Sequence, residues 1–283
     1  MTICAGELSA VIGDNEPREG QRAGYNGVQS LTSAHQPDNL FVPGVAGLNL
    51  EHLLDGRDLP DRDAYFEPRR QPMEVEQLDA QSVRLHQHAT PTLGVQSMAI
   101  FALRVPHYLD IDLRVVLRTD SLRFGYLLGF WASYINAPQD GAMHFLGRPR
   151  DEPVGEAWQT LSSPRHYEKS TVCRADVEPH LPHEMSFETL AYSYSELAYT
   201  RPFFYGRRGR MVFALMFERG ADVRFTHSPT GGGEGNPTWD FQWVLHHPRV
   251  DEEHRLRVRA VYRPWVSETD IWREYESWDP LLS

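Results

Sequence analysis

The dominant pattern along the chain is an alternation of apolar and polar residues with a period of two. Residues 108–117 read YLDIDLRVVL, with Leu109, Ile111, Leu113 and Val115 on one side of an extended chain and Asp110, Asp112 and Arg114 on the other. Successive side chains of a strand point to opposite faces, so this is a half-buried strand. Residues 97–105 (SMAIFALRV) are apolar enough for a buried strand, and Pro106 ends it. Residues 75–88 (VEQLDAQSVRLHQH) alternate around a turn at Asp79 and Ala80, which predicts a hairpin. Residues 122–135 (LRFGYLLGFWASYI) are aromatic with internal glycines, a mixture that favours strands over helix.

The second half repeats the theme. Residues 185–197 (MSFETLAYSYSEL) alternate, and residues 203–205 and 210–217 flank a turn at 206–209. Further strands are expected at 223–226, 239–245 (WDFQWVL) and 255–262 (RLRVRAVY), with a Gly-rich loop at 228–237. Residues 41–55 (FVPGVAGLNLEHLLD) read as a strand entering a loop. One helix is expected, after Ser267. Its S-E-T-D start resembles a capping box, and Ile271, Trp272, Tyr275 and Trp278 fall on one helical face. Residues 136–170 are the least regular and predict a long loop of functional or mobile character. Residues 1–20 read as a loosely packed tail before a single β-sandwich domain over 21–283. About a dozen strands without strand–helix alternation argue against βαβ architectures and for an all-β sandwich.

Composition narrows the function. Hydrophobic residues make up 41% of the 283 and aromatics 11%, enough for a large core. The 28 basic and 39 acidic residues leave a charge of −11, which repels phosphate backbones and disfavours nucleic acid as a partner. No apolar stretch approaches membrane-spanning length, so no membrane partner is expected. The two cysteines, Cys4 and Cys173, provide neither a disulfide framework nor a cysteine zinc site, and a cytoplasmic location is the default expectation. Lys169 is the single lysine, so Schiff-base chemistry has one candidate residue in a polar stretch. Nothing in the pattern specifies an oligomeric state.

Familiar catalytic motifs are missing. The sequence contains no Walker A, GxGxxG, HExxH or GxSxG segment, and no organic cofactor or metal is called for. Gly231, Gly232, Gly233 and Gly235 make a flexible loop able to approach a ligand closely. His86 and His88 share a strand face and permit a cupin-like metal enzyme, although no carboxylate follows them. What stands out instead is aromatics interleaved with acids, amides, histidines and arginines. FWASYIN (130–136) contains Trp131, Tyr134 and Asn136; WDFQW (239–243) contains Trp239, Asp240 and Gln242; NLEH (49–52) contains Glu51 and His52. Asp240 and Gln242 point together, and burying an acid with an amide is costly unless a partner satisfies both. Sugars use this mixture, with flat rings for C–H faces and bidentate groups for hydroxyls. The competing reading is a sandwich core with solvated polar faces.

Three segments carry a resemblance: PTLGVQSMAIFALRVPHYLDIDLRV (91–115), FWASYIN (130–136) and RFTHSPTGGGEGNPTWDFQW (224–243). With the strand count and terminal helix, they resemble the galactose mutarotase-like β-supersandwich proteins over about residues 40–275. That superfamily holds aldose epimerases, glycoside hydrolase domains and polysaccharide lyase domains. The resemblance implies a carbohydrate-active protein working by histidine and carboxylate acid–base chemistry, with His166 and His227 as acid or base and Asp240 as the carboxylate. Glu234 and Glu51 compete for that acid role. Glu51, His52, Trp131, Tyr134, Asn136, Arg165, Trp239 and Gln242 would bind a small-molecule carbohydrate. A lyase would draw on Arg69, Arg165 and Tyr167. A non-catalytic sugar-binding module is the main rival, and the cupin-like metal enzyme the third reading.

Overall fold

The computed structural model describes residues 1–278. The first strands are β1 (Thr2–Ala5), β2 (Leu8–Gly13), β3 (Gly27–Ser33), β4 (Asn49–Leu54), β5 (Glu74–Gln77) and β6 (Ser82–Gln87). Then come β7 (Val95–Arg104), β8 (Tyr108–Leu117), β9 (Tyr126–Ala132), β10 (Met143–Pro149), β11 (Ala157–Leu161) and β12 (Thr171–Arg174). The last are β13 (Tyr194–Tyr199), β14 (Phe203–Arg208), β15 (Met211–Phe217), β16 (Asp222–Ser228), β17 (Thr238–His246) and β18 (Glu253–Pro264). Two α-helices accompany them, α1 (Glu67–Arg70) and α2 (Glu268–Trp278).

Strands β1 to β3 form a small antiparallel sheet. The others form one large sheet in the order β4-β9-β17-β16-β12-β13-β10-β14-β15-β18-β8-β7-β6-β5, with β11 paired to β10. Trp131, near one end of that order, shares a small internal cavity with Leu85, Phe101 and Leu113 from β6, β7 and β8, near the other. The sheet therefore folds back on itself as a sandwich, and its inner faces enclose one continuous apolar core. The expected all-β sandwich with a short C-terminal helix is the observed fold.

Local readings fare unequally. The hairpin at 75–88 is β5–β6, and β8 has the bounds its alternation predicts. Helix α2 starts after Ser267, whose Oγ accepts from Asp270 N at 3.2 Å, and buries Ile271, Tyr275 and Trp278. Two expectations are corrected. Residues 1–13 are not a loose tail: they form β1 and β2 and bury Ile3, Leu8, Ala10 and Ile12. Residues 136–170 are not one long loop, because β10 and β11 pair there and β10 also borders β13 and β14. Short strands among Pro and Gly carry little periodicity of their own, and long-range pairing stabilises them.

Sheet β4-β9-β17-β16 is buried on both faces. Trp239, Phe241 and Trp243 of β17 enter the inner core. The opposite face, with Leu54, Leu128, Phe130, Tyr134 and Val244, lies under a second layer that includes Tyr65, Phe66, Leu181, Phe187 and Ala191. An open cleft remains within this covering.

Candidate active site

The cleft has a volume of about 690 Å³. Its walls are largely aromatic, with Tyr25, Phe66, Phe130, Tyr134, Tyr167 and Phe187 among the lining residues, and Glu51, His52, Arg69, His166 and Asp240 supply polar groups.

A break in strand pairing delivers Glu51. Leu50 pairs with Trp131 and His52 with Phe130, so Glu51 is the extra residue of a β-bulge between β4 and β9. Bulges re-aim side chains, and here Glu51 and His52 both line the cleft. Arg69 arrives on α1, a single turn too short to hold itself. The carbonyls of Pro68 and Gln71 accept from Asn15 Nδ2 at 2.7 and 2.8 Å, and from Gln87 Nε2 at 2.8 and 3.2 Å. Asn26 ties this support to β4, donating to Asn15 Oδ1 and accepting from Leu50 N, both at 3.0 Å. The N-terminal segment thus builds the site's scaffold.

Arg69 is the hub. Its Nη1 lies 2.9 Å from Glu51 Oε1. Its Nε donates to Asn49 Oδ1 and its Nη2 to Tyr134 Oη, both at 2.7 Å. The guanidinium sits over the Tyr25 ring at 4.3 Å. Tyr134 Oη donates in turn to Glu51 Oε1 at 3.1 Å. Burial, reinforced by the Glu51 charge, pushes the Tyr134 phenol well above its usual range and keeps it a neutral donor.

Asp240 is 1% exposed. Its Oδ1 accepts from Ser133 N at 2.7 Å and its Oδ2 from Thr238 Oγ1 at 2.6 Å. Burial raises its pKa far above the ordinary carboxylate range, and the two hydrogen bonds only partly oppose this. Two acids thus sit in contrasting surroundings, one ion-paired and one held toward its neutral form. His166 lies on the loop after β11, with Nδ1 2.5 Å from Ser228 Oγ. Burial lowers its pKa while Glu51 pulls it back up. The next residue, Tyr167, adopts a φ of 65°, a strained conformation for a large side chain. Its ring packs on His166 with centroids 3.8 Å apart. His52 Nδ1 is 3.0 Å from the Tyr65 carbonyl, which fixes the ring proton on Nδ1 and leaves Nε2 3.7 Å from Glu51. Burial lowers the His52 pKa as well.

Among solved structures, the fold matches a galactose mutarotase-like protein from Lactobacillus casei, with a TM-score of 0.54 at 10% identity over 93% of this chain and 99% of that one. It also matches the aldose epimerase homologue from C. elegans, with a TM-score of 0.52 at 7% identity over 94% and 99%. The chain has the galactose mutarotase-like fold. At these identities the likeness is one of fold. The 4-alpha-glucanotransferase from Thermococcus litoralis shares it over 92% of this chain and 37% of that protein, with a TM-score of 0.50 at 10% identity. No protein-family profile matches the sequence, and no curated protein is similar to it in sequence.

Within this mutarotase-like sandwich, Glu51, His52, Tyr134, His166 and Asp240 come together in the cleft. Arg69, Tyr167 and Gly231 line it too, whereas His227, Trp131, Trp239, Gln242, Asn136 and Arg165 do not. His227 is 1% exposed and fully engaged: Nδ1 accepts from Ser163 N at 3.1 Å, and Nε2 donates to the Gly141 carbonyl at 3.0 Å. Trp131 stacks on Phe241 in the core with centroids 5.1 Å apart. Trp239 is buried and donates from Nε1 to the Gly141 carbonyl at 2.8 Å. Gln242 Nε2 donates to Thr226 and Thr171 hydroxyls at 2.7 and 3.0 Å. The side chain of Asn136 donates to the Asn39 carbonyl, and Arg165 pairs with Glu168 in solvent. His86 and His88 belong to the hairpin edge of this sandwich, not to a cupin barrel.

Sequence reasoning noted Arg69 after the Glu51 segment and named Arg69 and Tyr167 for a lyase, and assigned no site role to Tyr25, Arg62, Phe66, Met185 or Phe187. Tyr25, Arg62 and Phe66 come from loops and a short turn without periodicity, while Met185 and Phe187 lie in the alternating run 185–197, of which only Tyr194 onward is strand. Only the density of arginine and aromatic residues in AYFEPRR (64–70) hinted at a site.

Proposed function

We propose that the protein is a carbohydrate-active enzyme that performs acid–base chemistry on a sugar held in this cleft. One observation carries the reading: a carboxylate paired with Arg69 and a loop histidine share a cleft with aromatic walls. Moving a proton at an anomeric hydroxyl needs a base, and Glu51 offers a carboxylate placed in the cleft by its ion pair with Arg69. Opening the ring needs a proton delivered to its oxygen, and His166 is the donor. In its imidazolium form His166 donates from Nδ1 to Ser228 Oγ, 2.5 Å away, and gives up the Nε2 proton to the sugar oxygen, returning to neutral imidazole. Tyr134 and Arg69 hold hydroxyls or developing negative charge, and the aromatic walls accept the apolar C–H face of the ring. Asp240, kept toward the neutral form, braces the Ser133 and Thr238 floor without adding a second anion. The fold it shares with mutarotase-like and aldose epimerase-homologous proteins supports a sugar as ligand.

The test is anomer interconversion, followed by NMR on freshly dissolved aldoses, with saturation-transfer spectra to detect binding. Acceleration of at least one aldose, reduced about 10²–10⁴-fold in Glu51→Gln and His166→Ala, is the expected result. Binding without turnover would replace the enzyme with a sugar-binding module. Neither binding nor turnover for any aldose would overturn the carbohydrate reading.

A further inference from the structure

Away from the cleft, three side chains converge on the outer face of the sheet's last hairpin. Glu74 of β5 lies directly across from His86 of β6 in the strand register. His88 follows two residues later on the same side. The donor atoms of all three lie within 4.8 Å of one another. His86 Nδ1 is 3.4 Å from Glu74 Oε2, and His88 Nε2 is 3.1 Å from Glu74 Oε1.

We propose that Glu74, His86 and His88 bind a borderline divalent transition-metal ion, Zn²⁺ foremost. The distances argue for it. Ligands at about 2.0–2.1 Å around a tetrahedral ion stand about 3.3–3.4 Å from each other. The observed separations, 3.4 Å from His86 to Oε2 and 3.1 Å from His88 to Oε1, lie close to that edge although each runs to a different carboxylate oxygen, and 3.4 Å is long for a hydrogen bond. Two imidazoles and one carboxylate are the donor set such ions take at sites that keep a position open for water, and His88 and Glu74 are well exposed, with side chains 77% and 69% accessible. The carboxylate that the sequence lacks downstream of the histidines comes from the neighbouring strand instead.

The surroundings fit a supporting role. Gln96 Nε2 lies 2.9 Å from His86 Nε2. With a metal on Nδ1, the proton moves to Nε2, and the Gln96 amide turns over to accept it. Its carbonyl now accepts from Arg118 Nε and Nη2 at 2.9 and 2.8 Å, two contacts the turn gives up, while Arg118 keeps Asp251 at 2.6 Å. Such outer contacts fix ligand orientation. The strand that gains most is β5, a four-residue edge strand that is mostly exposed and paired only with β6. A metal bridging Glu74 to His86 and His88 clips it in place.

The experiment is isothermal titration of the metal-free full chain with ZnCl₂ in chelator-free buffer at pH 7.5, with Co²⁺ absorption reporting geometry. One ion per chain with a micromolar Kd, a tetrahedral Co²⁺ spectrum, and at least 30-fold weaker binding in His86→Ala and His88→Ala are expected. Loss of that site in Glu74→Gln, and its retention in the His180→Ala/His183→Ala control, complete the pattern. No saturable binding below about 1 mM overturns the proposal. So does binding that survives in His86→Ala/His88→Ala.

Discussion

The Arg69 guanidinium meets the Glu51 carboxylate at 2.9 Å, with both side chains nearly nine-tenths buried. One comes from a single helical turn and the other from a β-bulge, and the cleft exists in its observed form because they meet. Removing one partner strands a buried charge. Arg69→Ala should cost about 3–5 kcal/mol of stability and abolish turnover. Arg69→Lys should keep the charge but lose the simultaneous contacts to Asn49 and Tyr134, with most activity lost and most stability kept. Urea unfolding and the anomer assay separate these outcomes. An Arg69→Ala protein as stable as the parent would show that the pair holds nothing.

His227 makes stability depend on pH. Burial lowers its pKa from about 6.5 to about 4. Between those values the unfolded chain takes up a proton that the folded chain refuses. The contribution is therefore fully present above pH 6.5 and is lost as pH falls toward 4, by about 3 kcal/mol. His227→Gln can accept from Ser163 and donate to Gly141, and should flatten that part of the curve. Urea midpoints at pH 7.5, 6, 5 and 4 for both proteins give the comparison. Parallel curves would rule out the assignment.

Trp131 should behave as core. Trp131→Ala removes the ring stacked on Phe241 and should cost about 3–5 kcal/mol, without changing ligand affinity in the folded fraction. Weaker binding at unchanged stability would instead return Trp131 to a sugar subsite. Arg165→Ala should change neither, because Arg165 is well exposed and its ion pair with Glu168 lies at the surface.

Asn15 positions the site from a distance. Asn15→Ala leaves the Pro68 and Gln71 carbonyls with one donor, Gln87, and strips Asn26 of an acceptor. A loss of about 1–3 kcal/mol is expected. Because α1 carries Arg69, turnover should also fall by more than the unfolded fraction explains. Activity that simply tracks the folded fraction would confine Asn15 to a structural role.

These residues also show where sequence reading succeeds. The alternation at 108–117 and the cap at Ser267 are local signals, since strand pleat and helix start depend on neighbours in the chain. So is the face shared by Asp240 and Gln242, whose burial requires partners. The structure supplies them as Ser133 and Thr238 for Asp240 and as Thr226 and Thr171 for the Gln242 amide nitrogen, while Gln242 Oε1 stays unpaired. The pattern could not say which of two buried faces opens into a cleft. Trp131 and Trp239 therefore read as binding surface yet lie on the core side, and His227 reads as catalytic yet holds a loop.

By itself, the sequence determined an all-β chain with a capped terminal helix, because a repeat of two leaves the backbone one economical way to hide its apolar half. It also marked Glu51, His52, Tyr134 and Asp240 as polar groups in aromatic company, and the resemblance added His166. Only the tertiary structure decided that these five share one cleft. It added Arg69, whose place depends on Asn15 from the segment after β2 and Gln87 from β6, and Glu74, which reaches His86 only through the register of the β5–β6 hairpin. Contacts between elements far apart in the chain are set by how the sheet closes, and no local periodicity encodes that closure.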